Sequence, residues 1–275
     1  MNEYPDYVKS QIAFINDEWR DRVESPRIYS RESRRANTSR REVTIHNARL
    51  RDEVGDLDLD ECGFVLVNHE TGVTDFRDKE VVLGDYFAEM RALILELTGA
   101  HDAFSFPFYQ VRSKEPEHFF DAYSLYMHCD FSPDTWLKFA QSIVKDSGRG
   151  KEYPPEEWDF AFYNLWRPVG GTVQQNPLVL IDASTVERDD IINYQPVKNG
   201  RGQAALPLFN DRQRYYYVPR MQTDEVLIFK QLDSRTDKSL VCPHTSFVDP
   251  TAPADAVARE SIDVRFMCVY PRVLS

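Results

Sequence analysis

Six histidines are spread along the 275-residue chain: His46, His69, His101, His118, His128 and His244. One of them opens an H-x-D triplet, His128-Cys129-Asp130, near the end of a strand-like segment, DAYSLYMHCDFS. Alternate side chains of a strand share a face, so His128 and Asp130 would aim one nitrogen and one carboxylate oxygen at the same point. His244 is the only histidine after Asp130 and the candidate for a third donor. Two histidines and a carboxylate on one face of an octahedral metal leave three positions open. Iron(II) needs that room to bind a bidentate co-substrate together with O₂. The same donors suit tetrahedral zinc with one open position. A plainer account also fits: His128 as a core histidine bonded to Asp130, and His244 in a surface loop. Spacing alone does not choose between them.

A second constellation follows at Arg259-Glu260-Ser261, fifteen residues beyond His244 (259 − 244). Arg and Ser two apart at the start of a strand point the same way and can clasp a carboxylate, guanidinium as fork and hydroxyl as extra donor. The distal carboxylate of 2-oxoglutarate would be a natural ligand, whereas a solvated arginine at a strand end needs none. In YNLWRPV, a strand would turn Asn164 and Trp166 one way and Leu165 and Arg167 the other. Asn164, Trp166 and Arg167 are candidates to touch substrate or co-substrate. Trp166 as plain core and Arg167 as a buried partner of Asp182 would serve as well. Lys230, Gln231 and Asp233 could hold the fold through hydrogen bonds. Tyr216, between Tyr215 and Tyr217, could line an aromatic pocket or simply belong to a tyrosine-rich edge strand.

The elements that must position these residues are mostly strands. VTIHNARL, GFVLVNHE, FSFPFYQVRS, FAFYNLWRPV, NPLVLIDAS, RYYYVPR, DEVLIFKQL and ESIDVRFMCVYP are short, β-branched or aromatic, and bounded by turn residues. DYFAEMRALILELTGA has helical spacing, with Asp85 as N-cap and Gly99 as stop. A helical insertion is expected near 133–160, over Pro133 to Val144 and again at PPEEWDF. No long helix separates the later strands, so the spacing predicts a mainly β chain with flanking helices (α+β) and a sandwich or jelly-roll core. Residues 1–41 read as an N-terminal arm: an amphipathic stretch, VKSQIAFINDEW, then a polar run, RESRRANTSRRE, expected to be a solvated loop. Residues 42–275 read as one domain.

Lys and Arg number 33 against 45 Asp and Glu, a net charge of −12. Such a balance repels nucleic-acid phosphate and anionic lipid, so neither is expected as a partner, and a small-molecule substrate is. No apolar run is long enough to span a bilayer, and the N-terminus does not read as a secretion signal. Cys62, Cys129, Cys242 and Cys268 form no C-x-x-C pair, the pattern of reduced thiols in a cytoplasmic protein. On a strand, Cys129 would point away from its two neighbours. A homo-oligomer is compatible with all of this.

Residues from about Val43 to Tyr270 resemble the hydroxylase/desaturase family that includes the aspergillic acid AsaB protein, fungal gibberellin desaturase and cephem methoxylase-associated proteins. The blocks that carry the resemblance are LDLDECGFVLVNH, TGA with FSFPFYQVRS, HCDFSP, YNLWRPV, NPLVLIDAST, DEVLIFKQLDS, PHTSFVDP and ARESIDVR. They occur in the family's order. The resemblance implies a double-stranded β-helix (cupin-like) oxygenase that uses Fe(II), 2-oxoglutarate and O₂ to hydroxylate or desaturate a small molecule, by analogy one of specialised metabolism. Ligand roles then fall on His128, Asp130 and His244, and the 2-oxoglutarate clasp on Arg259 and Ser261. Ser132 stands where the family often has Thr, and VGGTVQQN departs from its usual Asp-containing form, which bears on substrate identity. Two rivals remain at the level of the residues. One is a zinc- or other divalent-metal-dependent hydrolase or isomerase on a cupin-like barrel; the other is a binding protein that kept the barrel without catalysis.

Overall fold

The β-branched and aromatic runs pair into two main antiparallel-rich sheets that share one apolar layer. A computed structural model describes residues 4–53, 55–106, 108–113, 123–196 and 204–273. The early strands are β1 (Tyr7–Ile15), β2 (Thr38–Asn47), β3 (Phe64–Asn68), β4 (Asp102–Ser105) and β5 (Gln110–Arg112). Next come β6 (Trp158–Pro168), β7 (Leu178–Ile181), β8 (Ile191–Tyr194) and β9 (Ala204–Pro207). The last are β10 (Tyr215–Tyr217), β11 (Glu225–Asp233), β12 (His244–Ser246) and β13 (Ser261–Pro271). One sheet runs β3-β11-β6-β13-β4, with β5 pairing the start of β13. The other runs β1-β2-β10-β7-β12, and β8 pairs β9 separately.

Phe64, Trp166, Leu227 and Phe229 of the first sheet pack with Leu178, Leu180, Val218 and Met221 from the second sheet's side. This shared layer is the interior of the curled β structure, as the mainly β jelly-roll expectation requires. The opposite face of the first sheet, with Tyr163, Leu165, Val264 and Phe266, is covered by helical residues Tyr86, Phe87, Met90 and Ile94. β6 is therefore buried on both faces, and its sequence shows it by running apolar rather than alternating.

Helices α1 (Arg31–Asn37), α2 (Arg49–Asp52), α3 (Lys79–Val81), α4 (Phe87–Thr98) and α5 (Trp136–Asp146) flank the sheets. A π-helical turn, Val82–Tyr86, joins α3 to α4. Asp85 lies inside that turn and caps nothing; the cap is Asp78, whose carboxylate accepts from the Glu80 and Val81 amides. Gly99 ends α4 at φ +61°, as expected of a left-handed stop. The polar run expected to be a loop instead forms α1 and the start of β2. Ser30 and Ser33 close a capping box there, and the following residues pair with β1. The amphipathic stretch of the N-terminus is β1 itself, in register with β2 from Tyr7↔His46 to Ile15↔Thr38. α5 occupies the expected helical insertion, while PPEEWDF gives a turn and then the first three residues of β6.

Candidate metal centre

The H-x-D segment is not on a regular strand. His128 makes a single antiparallel bridge to His244, and Cys129 another to Ala205. Reciprocal amide-to-carbonyl bonds of 3.1 and 3.0 Å tie His128 to His244 and bring the two imidazole centroids to 4.4 Å. Cys129 turns away into a small apolar cluster with Ile191, Ala205 and Val241, so the alternation expected of a strand survives within this short bridge. All four cysteines are buried free thiols. His128, Asp130 and His244 each offer a ligand atom, all within 4.8 Å of one another. His128 Nε2 lies 3.7 Å from Asp130 Oδ1. His128 Nδ1 sits 3.0 Å from the Tyr126 carbonyl. A proton on Nδ1 donates to that oxygen and leaves the Nε2 lone pair facing Asp130.

Asp130 is held from three strands of the first sheet. Asn164 on β6 and Arg265 on β13 donate to its Oδ2 at 2.8 and 2.9 Å, and its own amide donates to Gln231 Oε1 on β11 at 3.0 Å. Burial alone would raise this carboxyl. The Arg265 guanidinium outweighs it, with the Asn164 amide donating to the same carboxylate, and keeps Asp130 well below the usual carboxylate range. Burial holds both imidazoles below the usual histidine value, His244 the more strongly. All three groups thus stand in the protonation state a metal requires: two neutral rings and one anion.

His128 and His244 line a small cavity bordered also by Trp166, Leu178, Phe229, Asp263 and Arg112. Arg259 adjoins it through Ser246, whose Oγ accepts from Nη1 at 3.1 Å; the same Nη1 donates to the Asn176 carbonyl at 2.6 Å. Arg259 Nε and Nη2 and the Ser261 Oγ are buried with no partner among the described residues, and so is Trp166 Nε1. Burial lowers the Arg259 guanidinium to about 9, still charged at neutral pH. Orphaned donors beside a metal-capable triad fit an anionic, carboxylate-bearing ligand.

The remaining candidates divide by face. Asn164 sits on Asp130 and Trp166 borders the cavity, as alternation along β6 predicts. Arg167 is turned to the other side, where its Nη2 contacts the His69 ring and carbonyl and its guanidinium lies over Tyr86. Asp182, suggested as its partner, instead pairs with Arg51 and Arg214. Tyr216 packs against His46 and Phe64 under Arg51, away from the cavity, and β10 lies inside its sheet between β2 and β7 rather than at an edge. Lys230 and Asp233 form a buried ion pair joined by Asp60, the structural role expected of them. Sequence reasoning passed over Arg265 and Asp263, although both share the Ser261 face of β13 by simple alternation.

Comparison with known proteins agrees with this geometry. A family model described as an oxidoreductase/YMDC permease-like domain matches residues 12–269. An Aspergillus novofumigatus protein named Fe(II)/2-oxoglutarate-dependent dioxygenase nvfI is 29% identical over 238 residues, 83% of each chain. The hydroxylase/desaturase CTB9 of Cercospora beticola is 27% identical over 241 residues, covering 77% of this chain and 73% of that one. Its name bears out the resemblance read from the sequence blocks. The solved structure of iron and alpha-ketoglutarate-dependent endoperoxidase NvfI superposes with a TM-score of 0.84 at 26% identity, over 98% of this chain and 100% of that one. With its family match running nearly end to end, the chain belongs to this oxidoreductase family.

Proposed function

We propose that the protein is an Fe(II)/2-oxoglutarate-dependent dioxygenase that hydroxylates or desaturates a small molecule in specialised metabolism. The observation that carries this reading is the pairing of two features: the His128, Asp130 and His244 donor set at the cavity, and buried, under-satisfied Arg259, which reaches the cavity wall through Ser246, with the unpartnered Ser261 hydroxyl two residues on. In this reading His128, Asp130 and His244 hold the iron, and Arg259 and Ser261 receive the distal carboxylate of 2-oxoglutarate. Iron(II) with 2-oxoglutarate and O₂ supplies the oxidant that takes hydrogen from an unactivated C–H bond. The chain's own part is orientation and exclusion of water. Phe229, whose ring centroid is 4.6 Å from that of His244, and Leu178 give the cavity its dry wall. Trp166 offers its indole N–H to a ligand, and Arg259, 5.2 Å from the indole centroid, braces the same ring. Asn164 serves substrate only indirectly, through Asp130.

The hydrolase or isomerase reading needs the triad but leaves Arg259 and Ser261 without a task. A net charge of −12 argues against nucleic acid and anionic membranes as partners. No helix among the described residues is long and apolar enough to cross a membrane. We place the protein in the cytoplasm, with one catalytic domain over residues 42–275 to which the 1–41 segment lends strand β1; a homo-oligomer is compatible with this reading.

The test is anaerobic titration of the protein with Fe(II) and 2-oxoglutarate. A visible charge-transfer band and, on admitting O₂, release of succinate are expected. His128→Ala, Asp130→Ala and His244→Ala should each abolish both while remaining folded. Turnover retained by any soluble, folded member of this set overturns the assignment.

A further inference from the structure

β11 carries an irregularity at the site. Its pairing with β6 runs in step to Lys230↔Tyr163, then resumes at Leu232↔Phe162, leaving Gln231 as an extra, unpaired residue. Bulges of this kind re-aim a side chain and concentrate beside functional sites. Gln231 is fully buried, and its amide touches both ligand-bearing segments. Oε1 accepts from the Asp130 amide at 3.0 Å, and Nε2 stands 3.4 Å from His244 Nδ1. The same Nε2 donates to the carbonyls of Lys230 and Cys242, at 3.3 and 3.2 Å, which fixes the amide's direction.

The need for such a tie follows from the local backbone. His128–Asp130 is anchored by two isolated bridges, one through His128 and one through Cys129, and Asp130 itself makes neither. His244 begins a three-residue strand. Neither segment has a ladder long enough to fix the spacing of Asp130 and His244.

We propose that Gln231, delivered by the β11 bulge, is a positioning residue that sets the distance and orientation between Asp130 and His244 for metal binding. It acts through the two ligands and touches neither substrate nor co-substrate. The inference rests on the iron reading above, and its test separates the two.

Gln231→Leu removes both amide contacts at nearly constant volume. Gln231→Asn keeps an amide but is one methylene too short to reach the Asp130 N–H. Gln231→Glu keeps an acceptor for it. Full-length variants are titrated anaerobically with Fe(II) under saturating 2-oxoglutarate, with the charge-transfer band recorded and the Tm of each metal-free protein measured. Expected are Fe(II) affinities about 10- to 100-fold weaker in Gln231→Leu and Gln231→Asn, a range typical of groups that orient metal ligands. Their bands should be displaced, with Gln231→Glu between them and the parent. Unchanged affinity and band in folded Gln231→Leu and Gln231→Asn overturn the proposal, and so does a lowered Tm with unchanged affinity, which would mark a purely structural amide. Absence of any band in the parent overturns the iron reading itself, and this inference with it.

Discussion

Arg259 holds its charge where water does not reach, with a single nitrogen bonded and two left without partners. Such a group weakens the ligand-free fold and favours any anion that can reach it. Replacing it by Leu should therefore leave the ligand-free protein at least as stable, yet remove the response to co-substrate. At a hundredfold excess over Kd, a ligand that binds only the native state adds about 2.7 kcal/mol. The parent should gain that in thermal denaturation with 2-oxoglutarate, and Arg259→Leu nearly none; an equal gain in both would take Arg259 out of the clasp. Asp263 offers a pH test. Burial raises its carboxyl from 3.8 to about 6, against the opposing charge of Arg265; Arg112 and Arg259 also oppose, while Asp130 reinforces the rise. A carboxyl raised in the folded state contributes stability below pH 3.8 that is lost as the pH climbs through 6. Asp263→Asn cannot lose it, so the stability of this variant relative to the parent should grow between pH 4 and 6 and then level off. A flat difference in Tm across that interval would contradict the assignment. The candidate metal donors were legible in sequence only with the family resemblance beside them, because an H-x-D triplet and one later histidine do not by themselves separate a ligand set from core histidines. Arg265, Asn164 and Gln231 were harder to assign, since only the folded chain shows that their side chains converge on Asp130.

At the scale of elements, alternation and turn chemistry located most strands, and the misses have physical causes. DAYSLYMHCDFS has strand composition, but only His128 and Cys129 bridge to neighbours, and residues 121–122 lie outside the described set. β8 and β9 are four residues each, too short for a period to show. Asp85 looked like a cap because the π-helical turn shifts the apparent helical phase ahead of α4. Glycines separate required from incidental conformation. Gly63 precedes β3 at φ +84°, and a Cβ there would meet the Ala183 Cβ at 2.7 Å. Gly84 lies in the π-helical turn with nothing near such a Cβ. Gly63→Ala should destabilise by at least the ~1–3 kcal/mol of a strained backbone position. Gly84→Ala should be neutral or stabilise by about 0.4–1 kcal/mol through the unfolded chain. Urea denaturation of the two variants decides; equal effects would mean the Gly63 turn yields without strain. Within the sheet, Leu165→Ala on doubly covered β6 should cost about 2–5 kcal/mol without changing Fe(II) affinity, because Leu165 faces α4 and not the cavity.

For the molecule as a whole, the question is what the first strand contributes to a site more than a hundred residues away in sequence. β1 is antiparallel to β2 along nine register pairs, Tyr7↔His46 through Ile15↔Thr38, and buries Val8, Ile12, Phe14 and Ile15. It also reaches the H-x-D segment directly: the Ala13 carbonyl accepts from the Met127 amide at 2.9 Å, one residue before His128. Met127 packs in the same cluster as Ile12 and Phe14. β1 is thus the backing of the H-x-D segment on the side opposite Gln231. Two effects can be separated by experiment. Ile12→Ala removes core volume but keeps the Ala13 carbonyl, so it should lower stability by about 2–5 kcal/mol and leave Fe(II) affinity intact at temperatures where the protein is folded. Deleting residues 1–16 removes the carbonyl too, and frees His128 to move relative to His244. The deletion should then lose Fe(II) affinity by about tenfold or more in whatever fraction stays folded, read by anaerobic titration against circular dichroism. A folded deletion variant that binds Fe(II) as tightly as the parent would show that the two histidine bridges hold the site unaided, and that β1 serves the sheet alone.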